Sequence, residues 1–445
     1  MIGEGQLMST TDSAPGAQPR VDAADTSGAT HRAVEAIWRI ESGRLIAGLA
    51  RVTGDVGIAE DMAQEALVAA LEQWPRTGVP PNPAGWLMTT AKRRAIDAHR
   101  RESNFGRKAA VLGEEAVSGV DSDAVIDAMD DHVHDDVLRL LLTACHPVLS
   151  LESRVALTLR CLAGLSTDEI ARAFLVPEAT AAQRIVRAKN TLADRGVQFE
   201  LPGPEELSER MSSVLEVVYL VFNEGYSATS GSDWTRPDLC NEAIRLGRLL
   251  AGLVPEEPEV HGLLALMEFQ ASRLPARVGP SGEAVLLPDQ DRRLWDRLLV
   301  RRGLEGLTRA ESLGKPLGPY SLQAGIAACH ARALRADDTD WARIVSLYDV
   351  LVRVWPSPVV ALNRAVAVSF LQGPEAGLKE LETVAASGRL DLYPHLHAAR
   401  GDLHARSGRL EEAAEAFARA AELSRNEADR ATFTRRATEL RGTPG

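Results

Sequence analysis

Ser166 and Glu169 stand three residues apart ahead of Ile170 and Ala171, and Pro177 follows soon after. The first pair is a capping box, in which the serine hydroxyl and the glutamate carboxylate each satisfy a backbone N–H that the first helical turn leaves open. A helix therefore starts at Ser166 and stops near Leu175. Pro177 is tolerated as a first helical residue and Glu178 complements the helix dipole, so a longer helix runs from there to Gly196. Two helices joined by a short turn and preceded by a third form a helix-turn-helix. On the second helix Ile185, Ala188 and Leu192 mark the buried stripe. Thr180, Gln183, Arg184 and Arg187 share an outward face whose side chains can reach base edges in a major groove, and Lys189 and Arg195 can meet phosphates.

The rest of the chain repeats the helical theme. From Ala33 onward it is rich in Ala, Leu, Arg and Glu, and no stretch sustains the alternation of a strand, so an all-α fold is expected. Residues 1–30, of which 18 are Gly, Ser, Thr, Ala or Pro, read as a disordered tail. A first helical domain is expected over 31–102, an acidic linker over 103–134 and the helix-turn-helix domain over 135–197. A helical extension over 205–355 and a repeat region over 356–442 complete the chain. In the last of these, Gly401, Ala413, Phe417 and Ala420 fall at the small and aromatic positions of a degenerate tetratricopeptide (TPR) unit, and 358–388 supplies the helices it stacks on.

Charge is unevenly distributed. The 445 residues sum to −12, which argues against a general nucleic-acid binder. Yet from Ala84 to Lys108 seven Lys or Arg face two acids, a local net of +5, and from Ala109 to Leu138 nine acids face no base. The basic block begins on a helix carrying Leu87, Ala91, Ala95 and Ala98 inward. Trp86, Arg93, Asp97 and Arg100 fall on another face, and an aromatic row beside a cationic one suits unstacked bases. Upstream, Ile58 to Trp74 is amphipathic, with Met62, Ala66, Ala70 and Trp74 inward and Asp61, Gln64 and Glu65 along an acidic edge.

The order of these pieces is informative. An acidic amphipathic helix, the loop Val79-Pro80-Pro81-Asn82-Pro83, a GWLMTTAKRRAIDAHRRE helix, a linker and a helix-turn-helix ending in RIVRAKNTL resemble the extracytoplasmic-function (ECF) sigma factors of bacterial RNA polymerase over about residues 33–196. The strings YLVFNEGYSATSG, LLPDQDRRLWDR and SPVVALNRAVAV resemble the subgroup with a long C-terminal TPR-like extension. The resemblance implies two partners, core RNA polymerase and promoter DNA. It assigns Asp61, Gln64 and Glu65 to polymerase binding. Asn82, Trp86, Arg93, Arg94, Asp97, Arg100 and Arg101 go to the −10 element, and Thr180, Gln183, Arg184, Arg187 and Lys189 to the −35 element. The extension would regulate the two domains and offer a surface to a protein partner. One position departs from the subgroup: Ala144 stands before Cys145-His146 where a second cysteine is expected, which argues against metal or redox chemistry there.

No catalytic residue, cofactor or metal is expected. His132 and His134 with Asp135 and Asp136 read as an acidic stretch, Asn223-Glu224-Gly225-Tyr226 as a helix end with a left-handed Gly225, and Asp289 and Asp291 as helix caps. There is no Walker loop, Rossmann fingerprint or G-x-S-x-G elbow. No apolar run is long enough to span a bilayer, and a cytoplasmic location is expected. The rival reading is a TPR-type interaction scaffold with a DNA-binding helix-turn-helix and no polymerase role.

Overall fold

The computed structural model describes residues 23–93, 133–226, 236–279, 285–424 and 426–442. The described chain is all-helical, with no β-strand. The first three helices are α1 (Ala23–Thr53), α2 (Val56–Thr77) and α3 (83–93). Helix α1 starts inside the segment assigned to a tail, where Ala23, Ala24 and Ala29 favour helix despite the surrounding Ser, Thr and Gly. Asp55 caps α2 through the Ile58 amide, 2.9 Å away. Asn82 does the same for α3, accepting from Gly85 N at 2.9 Å. Arg94, Asp97, Arg100, Arg101, the inward positions Ala95 and Ala98, and the acidic stretch to His132 lie outside the described residues.

The second group comprises α4 (Val133–Ala144), α5 (Leu151–Cys161), α6 (Thr167–Ala173) and α7 (Glu178–Asp194). Ser166 and Glu169 form the capping box in both directions. Leu175 ends the turn with φ +49°, the one non-glycine residue with positive φ among those described. Pro177 is the N-cap of α7 rather than its first helical residue, so the helix starts one position later than the sequence suggests.

The extension continues with α8 (Pro204–Tyr226), α9 (Pro237–Leu253), α10 (Pro258–Ala271), α11 (Arg297–Ser312), α12 (Pro319–Arg332), α13 (Trp341–Val354), α14 (Pro358–Gln372), α15 (Pro374–Ala385), α16 (Pro394–Arg406), α17 (Leu410–Leu423) and α18 (Glu427–Gly442). Proline opens α9, α10, α12, α14, α15 and α16, so the Pro-rich breaks are helix starts. Gly225 lies inside α8 and is absent from the positive-φ glycines, which corrects its reading as a left-handed cap. Its role is close approach: a Cβ there would sit 2.7 Å from the Cys240 amide nitrogen and 2.9 Å from the Arg236 carbonyl.

Two styles of packing meet in this chain. One continuous apolar core runs from Val34 to Ala271, drawing on α1 through α10. Beyond it the cores become small and sequential, one each for α10 to α12, α12 to α14, α14 to α16 and α17 to α18. That succession is the pattern of stacked helical units that touch mainly their neighbours. The anticipated repeat positions behave accordingly: Ala413, Phe417 and Ala420 are buried, and a Cβ on Gly401 would meet the Phe417 ring at 2.9 Å. The core of α12 to α14 runs across the break at residue 355.

Candidate nucleic-acid and polymerase interface

Helix α7 presents two faces. Ala181, Ile185, Ala188 and Leu192 are buried. Gln183 and Arg187 are exposed, while Thr180 and Arg184 are half-buried. Arg184 and Arg187 line a shallow cleft with Ser150, Glu152 and Thr191. Backbone and Ser150 hydrogen bonds at the start of α5, with smaller help from Arg184, hold the Glu152 carboxyl below its ordinary range. The face therefore offers two guanidiniums and an amide, donor types that match guanine and phosphate oxygens.

Lys189 sits elsewhere. Its ammonium donates to Glu60 Oε2 at 2.7 Å and to Asp61 Oδ1 at 2.6 Å on α2. Arg160 of α5 donates to the other Glu60 oxygen at 2.8 Å. Glu60 is buried, and burial alone would push its carboxyl up. Arg160 and Lys189 reverse that and hold it below its ordinary value. Burial likewise opposes the charge on Lys189, and Glu60 with Asp61 raises its pKa in spite of it. Arg39 pairs with Glu169 and Arg51 with Asp136, so charge crosses between the two helical groups at several points. The structure thus joins Asp61, expected at a polymerase surface, to Lys189, expected at a DNA backbone.

The other anticipated residues fall as follows. Gln64 is half-buried, and Glu65 is exposed beside Asp61. Asn82 is exposed and already spends its side chain on the α3 cap. Trp86 is half-buried and meets Trp74 edge to face, with centroids 5.3 Å apart, so its ring helps fix α3 on α2. Arg93 is exposed at the last described turn of α3. Cys145 is buried, and burial pushes its thiol up to about 12, which keeps it an unreactive thiol. Asp136 pairs with Arg51 and Arg139.

Sequence reasoning missed Glu60 and Arg160, which together with Lys189 join α2 to α5 and α7. It also missed how the extension holds the helix-turn-helix. Helix C-termini leave carbonyls without partners, and α8 and α9 supply several of them. Ser213 donates to the Cys145 carbonyl at 2.5 Å, Arg245 to the Leu162 carbonyl at 2.7 Å, and Arg236 to the Ala173 carbonyl. Arg154 of α5 reaches back to Ser213 and to Glu216, the latter at 3.0 Å. Beneath these bonds Val214, Val217, Val218, Val221 and Phe222 are fully buried in the common core. Only paired apolar residues in the YLVF string hinted at such a surface.

Fold and site together define a two-part helical DNA-binding unit with an all-helical extension. Residues 39–105 match the sigma-70 region 2 family, residues 139–192 match sigma-70 region 4, and residues 210–311 match a family of unknown function, DUF6596. The chain is 34% identical over 152 residues to the ECF RNA polymerase sigma factor SigL of Mycobacterium tuberculosis, covering 33% of this chain and 81% of that protein. It is 30% identical over 165 residues to the probable ECF sigma factor SigI of the same organism, covering 36% of this chain and 55% of that protein. An uncharacterised protein of Rhizobium meliloti is 46% identical over 399 residues, which is 89% of this chain and 93% of that one. The chain belongs to the ECF RNA polymerase sigma factor family and carries a helical C-terminal extension. No described helix is long and apolar enough to cross a membrane.

Proposed function

We propose that this sigma factor binds core RNA polymerase through the Asp61–Glu65 edge of α2, engages the −10 element with α3 and the residues after it, and reads the −35 element with α7. The observation that carries this reading is the outward face of exposed Gln183 and Arg187 with half-buried Arg184, on a helix whose opposite face is fully packed. Initiation by such a factor needs no bond chemistry of its own. Unpaired bases must be captured, and the cost is offset by interactions with the open strand.

The extension regulates it. In the arrangement described, Asp61 is engaged by Lys189, so polymerase and promoter backbone each compete with an internal partner. This is a closed form, and α8 and α9 brace the region 4 half of it. Opening separates α2 from α7 while region 4 stays on the extension. Run-off transcription with core polymerase tests the reading. The full chain should give promoter-specific transcripts. Arg184→Ala or Arg187→Ala should cost about 1–3 kcal/mol for each arginine–base hydrogen-bond pair removed and relax choice at one position. Wild-type promoter choice in both variants would remove α7 from the −35 role. Failure to co-purify with core polymerase would favour the scaffold reading.

A further inference from the structure

Two sequence strings have no part in promoter binding, Asn223-Glu224-Gly225-Tyr226 and Asp289-Gln290-Asp291-Arg292, and they converge at the turn after α10. Tyr226 closes α8. Its ring lies parallel to Phe222, and the Arg277 guanidinium stands 3.7 Å from its centroid. Arg273 and Arg292 both stand over the Trp295 indole, at 5.7 and 5.2 Å. Gln290 accepts from Arg273 Nε at 3.2 Å. His330 of α12 joins the group: burial first, then the charges of Arg273 and Arg292, hold its imidazole down to about 4, so it is neutral.

Arg277 has an interaction of its own, and the imbalance lies with Arg273 and Arg292. Arg292 is buried, and its hydrogen-bond partners are the His330 and Ala333 carbonyls, each at 2.8 Å, and the Thr339 hydroxyl. Among the described residues no carboxylate lies within ion-pair distance of Arg273 or Arg292. Asp291 is turned outward onto Arg293 at 2.7 Å, and Asp338 acts on Arg292 only from a distance. Tyr226 Oη and Trp295 Nε1 are buried and lack a hydrogen-bond partner among the described residues, as do Arg292 Nε and His330 Nδ1. Tyr226 is 9% exposed and Trp295 3%. Desolvating cations beside a tyrosine hydroxyl and an indole N–H, which can only donate, is unfavourable unless an acceptor-rich anion completes the set. More than one guanidinium favours a dianion over a single carboxylate, and the planar fork matches phosphate oxygens.

We propose that the cluster binds a small phosphate-bearing anion, with Arg273 as its charge partner and Tyr226 Oη and Trp295 Nε1 as neutral donors. Tyr226 adjoins Gly225, whose carbonyl accepts the Arg236 amide at 2.6 Å, and the Arg236 side chain holds the end of α6. The site is thus one residue from the clasp on the DNA-reading unit. Anion binding here does not depend on promoter binding, and either can hold if the other fails.

Calorimetric melting of the full chain in inorganic phosphate, in glycerol phosphate and in succinate, each matched in ionic strength with chloride, tests it. A saturable rise in melting temperature with phosphate or glycerol phosphate is expected, the stronger of the two identifying free phosphate or a phosphate ester as the natural ligand. Tyr226→Phe keeps the ring under Arg277 and should weaken saturation several-fold, and Arg273→Gln should remove the rise. If Arg273→Gln does not fold, Tyr226→Phe decides. No phosphate-dependent rise in the wild type overturns the proposal, as does an equal rise with succinate or undiminished saturation in Tyr226→Phe.

Discussion

Region 4 is held on two sides by different physics. Toward α2 the interface centres on Glu60, Asp61, Arg160 and Lys189, with the Lys189 side chain 14% exposed and that of Asp61 72% exposed. Toward α8 and α9 it is made of buried valines, Phe222 and capped helix ends. Desolvation offsets much of the attraction in a buried charge cluster, and its solvated Asp61 arm weakens in salt. Apolar burial contributes roughly 25 cal/mol per Å² and does not screen. On the proposed reading, the α2 side of region 4 is the one expected to release and the extension side the one expected to stay.

The largest break in this comparison is truncation after Glu200. It removes Val214, Val217, Val218, Val221 and Phe222 from the core, each worth about 1.5–3 kcal/mol of burial, along with three carbonyl caps. The shortened chain should lose cooperative folding of region 4, seen as reduced amide protection in α5 and α7. Retained protection would show that region 4 is self-sufficient and the extension a passenger.

Glu60→Ala comes next. It leaves Arg160 without its carboxylate and Lys189 with Asp61 alone, and should cost about 2–4 kcal/mol while separating α2 from α7. A distance probe between those helices should lengthen, and core polymerase binding should strengthen. An unchanged distance would deny that these charges set the closed form.

The same ion cluster predicts a pH window. Glu60 titrates below its unfolded value of 4.5, so its contribution is complete above that value and disappears as pH falls through the depressed folded pKa. Lys189 titrates above 10.5, so its contribution is complete below that value and disappears as pH rises through the folded pKa. The α2–α7 distance should hold between these limits and lengthen outside them in the wild type. The extension interface, built mainly on apolar burial, should not follow the same curve.

The smallest effect sharpens the other side. Arg245→Ala removes the bond to the Leu162 carbonyl and should cost about 1–3 kcal/mol in melting experiments, with no added dependence on salt. A strong salt dependence in that variant would mean that the extension side is also electrostatic.

The helix-turn-helix was legible because its signals are local. A capping box, a turn of fixed length and an apolar stripe act within a few residues, and the observed α6 and α7 follow them apart from one residue at Pro177. Trp86 was legible as an aromatic on the basic helix, but not as a partner of Trp74, because edge-to-face packing depends on how α3 crosses α2. Gly225 misled for a related reason. A glycine at a helix end and a glycine under a crossing backbone look alike in sequence, and the N-terminus of α9 decides between them.

An all-α chain, the capping-box start of α6 and membership of a sigma factor family could be read from the residues alone, since propensity, capping and periodicity are properties of neighbours along the chain. Three-dimensional packing set the burial of Glu60, the meeting of Lys189 with Asp61 and the capping of region 4 by Arg236 and Arg245. Lys189 and Asp61 are 128 positions apart. The energy of a charge depends on what desolvates it and what pairs with it, and both arrive from distant parts of the chain.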